Sequence, residues 1–236
     1  MSNCLGRPQR NLSKYSATIL KCSIFRGVTE SELPAALMFL NAFKRSYQKN
    51  EMIFMIGDPM QYAGVVLEGT VELSFFDEGD NSVNMNHFTA GNIFGESLAC
   101  VKATKSPGQM RALTQCHILF MDFQPILDAK QLDCGYQTQI GSNLLLDFAR
   151  QNVFLNQKVR IMSQRKLRDK IKVFLRQQDQ STDDLIHIRF NRNELAEFLS
   201  VNRSALSREL SNMQTDGILE VLGNDIRILD PQFLLH

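Results

Sequence analysis

Two closely spaced helix-start signals constrain the C-terminal part of this chain more than any other feature. Asn191 can cap a helix, and Glu194, three residues later, can reach back to form a capping box. Asn202 can cap a second helix, and Ser200-Val201-Asn202 leave room for only a tight turn between the two. Two short helices joined by a three-residue turn are typical of a helix-turn-helix, which we predict over residues 191–217.

The second helix, predicted over 203–213, has two distinct faces. Leu206, Leu210 and Met213 form its inward face, which packs against the apolar face of the first helix. The outward face carries Arg203, Ser204, Ser207 and Arg208, and Asn202 precedes them. Arginine can donate two hydrogen bonds to a guanine edge, and serine can donate or accept, so these five residues are predicted to contact double-stranded DNA. The alternative is a surface helix that carries them for solubility alone.

A hairpin signal follows the two helices. Residues 218–221 and 226–228 are short apolar runs, and the turn Leu222-Gly223-Asn224-Asp225 separates them. A hairpin in this position is typical of the wing of a winged helix-turn-helix.

The chain from Tyr47 to about Phe123 has a different pattern, with short, partly alternating apolar runs between glycine-bearing turns. The turns include Gly57-Asp58-Pro59, residues 77–79 and Ala90-Gly91-Asn92. Regularly spaced short strands of this kind predict an antiparallel barrel, sandwich or roll.

Residues 134–163 have helical periodicity, with no proline and no glycine after Gly141. The repeat steps alternately by four and three through Gly141, Leu145, Phe148, Asn152, Leu155, Val159 and Met162. This heptad spacing predicts a helix that packs along a partner, which can be a second copy of the chain. Asn152 would then face its twin and fix the register. The alternative is a long helix that lies on its own domain.

A basic stretch overlaps the end of this heptad repeat, which we call the seam. Residues 158–176 hold eight basic side chains and one acidic one. Arg165 and Lys166 are predicted to contact DNA phosphates, and the alternative is a solvated helix face. The polar residues 177–184 are predicted to form a loop.

Composition narrows the class of protein. In 236 residues, 44% are hydrophobic and the net charge is +1, which is ordinary for a globular protein. No window approaches the roughly 18 apolar residues of a membrane helix, and residues 1–16 do not resemble a signal peptide, so we expect a cytoplasmic protein. No motif for a nucleophile, a phosphate loop or a metal is found, so we do not expect an enzyme, a bound metal or another cofactor.

The chain resembles the superfamily of the cyclic-AMP receptor protein and the fumarate–nitrate reduction regulator, the Crp/Fnr superfamily. The resemblance is carried by Gly57-Asp58 with Gly69-x-Val71, by Gly91-x-x-Phe94-Gly95-Glu96, and by Arg203-x-x-x-Ser207-Arg208 with Asp216-Gly217-Ile218. It implies an α+β fold, with an antiparallel β-roll resembling a cyclic-nucleotide-binding jelly roll, a long dimerisation helix and a winged helix-turn-helix. The implied segments are an effector-sensing roll with N-terminal helices (1–133), the dimerisation helix (134–163) and the DNA-binding domain (164–236).

The resemblance also implies partners. Its members are transcription regulators that read near-palindromic DNA as homodimers under control of a small-molecule effector, and RNA polymerase is a further candidate partner. The alternative from another class is a ligand-binding or interaction module whose helix-turn-helix no longer contacts DNA.

This sequence departs from the nucleotide-binding members of the superfamily at the phosphate site, so we do not expect cyclic AMP to be the effector. Nucleotide-binding members neutralise the phosphate with an arginine in an Arg-Ser or Arg-Thr pair, and here Ser106 and Pro107 stand at those positions. Arg111 lies nearby but belongs to the next strand. The effector is therefore an unknown small molecule, and its site is predicted at Gly95, Glu96, Ser97, Arg111, Leu155 and Asn156.

Redox and haem sensing are alternatives within the same fold. Iron–sulfur members have an N-terminal cysteine cluster, whereas only Cys4 and Cys22 precede the roll here, so that alternative is not favoured. His87, His117 and Cys100 are available as axial haem ligands. The five cysteines include no close pair, so we expect thiols without a disulfide or metal role.

Overall fold

The structure, a computed structural model, describes residues 12–76, 82–128, 135–178 and 185–235. Cys4, Cys134, the turn predicted at 77–79 and residues 179–184 of the predicted loop lie outside the described residues. The chain divides into two compact units, Met1–Phe148 and Ala149–His236. None of the helices in the described ranges is both long and apolar enough to cross a membrane.

The first unit contains two four-stranded antiparallel sheets, as the glycine-punctuated pattern predicts. The strands are β1 (Phe43–Tyr47), β2 (Met52–Phe54), β3 (Ala63–Glu68), β4 (Thr70–Phe76), β5 (Ser82–Thr89), β6 (Ile93–Phe94), β7 (Gln109–Ala112) and β8 (Cys116–Met121). One sheet has the order β1-β8-β3-β6 and the other β2-β7-β4-β5. Gly69 links β3 to β4 at a φ of 91°, and a Cβ there would lie 2.5 Å from the carbonyl oxygen of Gln115, so this tight turn requires glycine.

The first unit has two hydrophobic cores, and successive side chains of β3 point alternately into one and the other. Val65 and Leu67 pack into a core shared with the N-terminal helices, whereas Val66 packs into the interior between the two sheets. The helices are α1 (Ser16–Lys21), α2 (Leu33–Phe39), α3 (Glu96–Cys100) and α4 (Gln124–Leu127), with 3-10 turns at Ser13–Tyr15 and Ser23–Phe25.

A long helix, α5 (Gly135–Met162), runs within one residue of the predicted bounds at each end. Ile140 and Leu144 belong to the core of the first unit, and Ile161 belongs to the core of the second. The buried amide of Asn143 donates to the carbonyl oxygens of Ile24 and Arg26 at 3.0 and 2.7 Å, which satisfies a polar group inside the first unit.

The second unit adds helices and a small sheet to the end of α5. The elements are α6 (Leu167–Arg176), β9 (Leu185–His187), α7 (Arg192–Phe198), α8 (Arg203–Thr215), β10 (Leu219–Leu222), β11 (Asp225–Ile228) and α9 (Gln232–Leu235). The sheet has the order β10-β11-β9, so the predicted hairpin gains a third strand, β9, that the sequence reasoning missed. A three-residue strand shows no alternation of its own, and β9 exists because Ile186 pairs with Ile226 of β11.

The predicted α+β fold class is confirmed, with an antiparallel roll, a long helix and a winged helix-turn-helix. The predicted segment boundaries lie at the two ends of α5, after residues 133 and 163. The boundary between the two compact units lies inside α5, between Phe148 and Ala149. The segment boundaries therefore stay a prediction.

Candidate functional site

The first helix of the helix-turn-helix begins at the predicted capping box. The side-chain oxygen of Asn191 accepts hydrogen bonds from the backbone N–H of Asn193 and Glu194 at 2.9 and 3.0 Å. The Glu194 carboxylate accepts from the backbone N–H of Asn191 at 2.7 Å. Three donors that the start of α7 would otherwise leave unpaired are satisfied, so the local sequence alone fixes where α7 begins.

The second helix, α8, also begins where the sequence predicts. Asn202 Oδ1 accepts from the backbone N–H of Ala205 at 2.8 Å and from the Ser204 hydroxyl at 3.0 Å. The helix extends two residues beyond the predicted end at Met213, to Thr215. Ser200 adopts a φ of 54° in the turn between the helices, which lets the chain reverse within a few residues.

The inward residues of the two helices are buried, as predicted. Leu195, Leu199, Leu206, Leu210 and Met213 are each at most 3% exposed. Ala196 is also 3% exposed, and its small side chain fits the buried side of α7. This packing orients α8, because every inward side chain on it is fixed in the core.

The five residues predicted to contact DNA are all exposed on α8 or at its cap. They are Asn202, Arg203, Ser204, Ser207 and Arg208. Neither Arg203 nor Arg208 has an ion-pair partner within the ranges that the structure describes. Their guanidinium donors are therefore available to an external acceptor on a helix whose position the core determines.

Two members of the basic stretch have roles that the sequence reasoning missed. Arg168 on α6 forms two ion pairs, one with α8 through Nε to Glu209 Oε1 at 2.6 Å and one with the C-cap residue of α8 through Nη1 to Asp216 Oδ2 at 2.8 Å. The hydrogen bonds that Arg168 donates to the carboxylates of Glu209 and then Asp216 raise the pKa of Arg168, which keeps it charged. Lys170 donates to the carbonyl oxygen of Leu199 at 3.0 Å, after the last turn of α7. Both side chains therefore stabilise the packing of α6 against the helix-turn-helix. In the sequence, the acidic residues Glu209 and Asp216 are the signal that could have indicated the role of Arg168.

Arg165 and Lys166, the predicted phosphate contacts, lie exposed immediately before α6. Lys166 is the N-cap residue of this ten-residue helix. The unpaired backbone N–H groups at a helix N-terminus favour anions, and two adjacent cations add to that preference. This placement suits phosphate contact, and the role of both residues stays a prediction.

The predicted seam of α5 leaves a row of apolar side chains exposed. Leu145 is 69% exposed, Leu155 58%, Val159 65% and Met162 49%. Phe148 differs, because it packs partly against the core of the first unit. Asn152 is exposed, and its Oδ1 accepts from the Asn156 amide at 2.7 Å within the helix. Exposed apolar side chains repeated at heptad spacing are typical of a surface that a partner covers.

The loop at Ser106 and Pro107, the positions of the phosphate-binding pair in nucleotide-binding members, is hydrogen-bonded to the protein itself. Ser106 is 3% exposed, and its hydroxyl donates to the carbonyl oxygen of Gly108 at 2.6 Å. Its backbone N–H donates to the Asp58 carbonyl at 2.7 Å, and its own carbonyl accepts from the Gly57 N–H at 2.9 Å. Every hydrogen-bonding group of Ser106 thus has a partner inside the protein.

Arg111 lies on β7, in the strand to which the sequence assigned it. Its Nη2 is 3.0 Å from Glu72 Oε1, and His87 Nε2 is 3.5 Å from the other oxygen of the same carboxylate. The side chain of Glu72 is only 10% exposed, so Arg111 supplies the positive charge that this buried carboxylate needs. An effector that recruits Arg111 must compete with that ion pair.

The other predicted effector residues are divided between the two units. Gly95, Glu96 and Ser97 lie at the start of α3 in the first unit, and Gly95 adopts a φ of 72°. Leu155 and Asn156 are exposed residues of α5 in the second unit. Phe94, just before this turn, lies over Gly64, where a Cβ would be 2.1 Å from the ring. The rings of Phe88 and Phe120 lie 5.8 and 6.4 Å from Phe94, so aromatic side chains occupy the roll interior beside Gly95.

The candidate haem and redox residues are engaged in the fold. Burial raises the pKa of Cys22 and of Cys100 to about 11, so both thiols stay protonated near neutral pH. His117 Nδ1 lies 2.8 Å from the Ser46 hydroxyl, and His87 faces Glu72. The described residues contain no group of three or more His, Cys, Asp or Glu side chains placed to hold a metal ion.

A β-roll, a long helix and a winged helix-turn-helix with an exposed arginine and serine face together define a transcription regulator. Comparison with protein families agrees with this class. Residues 44–131 match the cyclic nucleotide-binding domain, and residues 171–236 match the Crp-like helix-turn-helix domain. The chain therefore belongs to the Crp/Fnr superfamily, whose members are transcription regulators and not enzymes.

Individual relatives span nearly the whole chain. The CRP-like protein Clp of Xanthomonas oryzae pv. oryzae is 24% identical over 230 residues, covering 91% of this chain and 97% of the relative. The catabolite activator protein of Thermus thermophilus matches with a TM-score of 0.53 at 20% identity, covering 90% of this chain and 96% of that one. The sensor domain of the regulator DNR from Pseudomonas aeruginosa matches at 0.50 and 14% identity, covering 65% and 97%. At these identities the solved structures show the shared fold.

Proposed function

We propose that this regulator binds a near-palindromic DNA site as a homodimer and that a small-molecule effector held by the β-roll controls it. The observation that carries the proposal is the exposed face of α8, where Arg203 and Arg208 have no acidic partner among the described residues. A helix inserted by its N-terminal half into the major groove would bring these donors to base edges.

The proposed dimer rests on the exposed apolar seam of α5. A second copy would cover Leu145, Leu155, Val159 and Met162, and paired helices would present two copies of α8 to two half-sites. Phe148 and Asn152 would contribute less than the spacing suggests, because Phe148 is partly used by its own core and Asn152 already bonds Asn156.

The proposed effector is not a cyclic nucleotide. Ser106 has no free hydrogen-bonding group, and Arg111 is paired with Glu72. Gly95, Glu96 and Ser97 are retained as the proposed effector residues of the roll, and contributions from Leu155 and Asn156 stay a prediction. RNA polymerase as a partner and the cytoplasm as the location follow from the proposed regulatory role and also stay predictions.

A comparison of two variants tests the DNA-binding part. A site is first selected from random DNA with the wild-type chain, and affinities are measured by fluorescence anisotropy at one fixed salt concentration. Arg208→Ala should cost ~1–3 kcal/mol on the selected site and relax its specificity, with little loss on random DNA. Lys166→Ala, the matched control, removes a proposed phosphate contact and should weaken both kinds of DNA alike.

Two results would contradict the proposal. Equal losses for Arg208→Ala on selected and random DNA would remove the base-reading role. Failure of the wild-type chain to enrich any sequence would favour the alternative, an interaction module that does not read DNA.

A further inference from the structure

A cavity opens in the roll beside the turn that holds Gly95, since a Cβ at Gly95 would lie 3.1 Å from the Met60 side chain and 3.8 Å from the Tyr62 carbonyl oxygen, and both residues line the cavity. Its volume is about 240 Å³, and its walls come from β1, β2, β8 and the turn between β2 and β3. Five aromatic side chains dominate it: Phe43, Tyr47, Phe54, Tyr62 and Phe120. Gly95, Glu96, Ser97 and Arg111 do not line it.

The aromatic walls are held by sheet pairing. Phe43 of β1 lies directly opposite Phe120 of β8, and their rings stack with centroids 5.6 Å apart and planes at 24°. Tyr62 meets the edge of the Phe43 ring, with centroids 5.0 Å apart and planes at 88°. Tyr47 also packs against Phe120, with ring centroids 6.4 Å apart. A cavity shaped by paired strands is present before any ligand binds, which reduces the ordering cost of binding.

One cation faces this cavity without an acidic partner. The Arg45 guanidinium lies 5.4 Å from the ring centre of Phe43 and 6.0 Å from that of Phe120. No carboxylate of the described ranges lies within ion-pair distance of it. Asp58 also lines the cavity, but its Oδ2 accepts from the backbone N–H of Met55 at 2.8 Å and so stabilises the turn.

Tyr47 supplies a polar group at the inner wall. Burial raises the pKa of its hydroxyl, and the neighbouring Arg45 guanidinium partly offsets that effect. The hydroxyl therefore stays protonated near neutral pH and can donate a hydrogen bond. Aromatic walls with one exposed cation favour a ligand that has a flat apolar body and a single negative charge.

We propose that this cavity is a second ligand site, which binds a small aromatic carboxylate with its ring among Phe43, Phe54 and Phe120 and its carboxylate on Arg45. A guanidinium can donate two parallel hydrogen bonds to a carboxylate, and the apolar rings desolvate the contact. The site goes beyond the proposed function, because none of the residues proposed for the effector lines it.

The test uses benzoate and its neutral analogue benzamide with the full chain. Saturation-transfer NMR titration should show saturable benzoate binding, with benzamide weaker by ~10-fold or more because it lacks the charge-assisted contact. Arg45→Gln should weaken benzoate by a similar factor and leave benzamide unchanged. Lys44→Gln is the matched control, because it removes the same charge from the neighbouring position of β1, where Lys44 lies 5.5 Å from the Tyr15 ring and does not line the cavity.

Several outcomes would overturn the inference. They are equal binding of benzoate and benzamide, equal losses in the Arg45 and Lys44 variants, and no saturable benzoate binding up to ~10 mM, the level expected for so small a ligand. Because Arg45 is exposed, its variant should fold normally, and thermal melting of each variant checks this. Failure here leaves the DNA comparison of Arg208 and Lys166 intact, because benzoate binding is measured without DNA.

Discussion

Ser106 is buried, and the loop around it uses all of its polar groups. Tight binding of a cyclic nucleotide needs a charge-assisted contact to the phosphate, which is worth roughly 1.5–3 kcal/mol. The Ser106 hydroxyl instead bonds Gly108, and Pro107 has no N–H to offer. Glu96 brings a negative charge that alone would repel the phosphate.

We therefore expect no calorimetric binding of cyclic AMP or cyclic GMP at concentrations up to ~100 μM, where a site worth ~8 kcal/mol would be evident. A low-micromolar dissociation constant for either nucleotide would contradict this expectation. Arg111→Gln would then identify the phosphate ligand, because Arg111 is the nearest arginine in sequence to the loop.

At the scale of the element, the proposed dimer depends on α5. Leu155 is 58% exposed on the apolar seam, so Leu155→Glu should leave the fold of one chain intact. In a dimer the same change would bury an unpaired charge at the interface, at a cost of several kcal/mol. We expect the variant to be monomeric by analytical ultracentrifugation and to lose binding to a site with two half-sites.

Gln157→Glu is the control for that prediction. It introduces the same charge on the same helix, two residues and therefore about 200° away from Leu155, on the side opposite the seam. It should sediment as a dimer, as should the wild-type chain. A wild-type chain that is monomeric at micromolar concentration would contradict the proposed seam.

At the scale of the whole molecule, the symmetry of a dimer should be visible in the DNA that it selects. Two copies of α8 related by a two-fold axis read two half-sites in inverted orientation, with centres about one helical turn apart, ~10–10.5 base pairs or a multiple of it. Sequences enriched from random DNA should therefore be near-palindromes with that spacing. Inserting five base pairs between the half-sites should abolish tight binding, because the second half-site then faces the opposite side of the duplex.

An insertion of a full turn is the matched control and should be tolerated better than the half-turn. Enrichment of single half-sites or of direct repeats would contradict the two-fold arrangement. This outcome is separate from the base-reading role of Arg208, which a single half-site would still reveal.

The sequence by itself determined the features that depend on neighbouring residues. The capping box of Asn191 and Glu194 and the Asn202 cap each act within a few residues, so α7 and α8 begin where predicted. The helical periodicity likewise places each end of α5 to within one residue. The register that assigns Arg111 to β7 and Ser106 to the preceding loop also agrees with the structure. The predicted roles of these residues depend on DNA and effector, and stay predictions.

Only the tertiary structure decided which polar groups are already used. The ion pairs of Arg168 join residues 41 or more positions apart, and no local pattern distinguishes Arg168 from Arg165. Likewise, β9 forms only because β11 provides its partner. The aromatic cavity brings β8 together with β1 and β2, which lie far earlier in the sequence. A residue's own sequence neighbourhood sets its conformation, whereas contacts across the fold decide whether its charge remains available for a ligand.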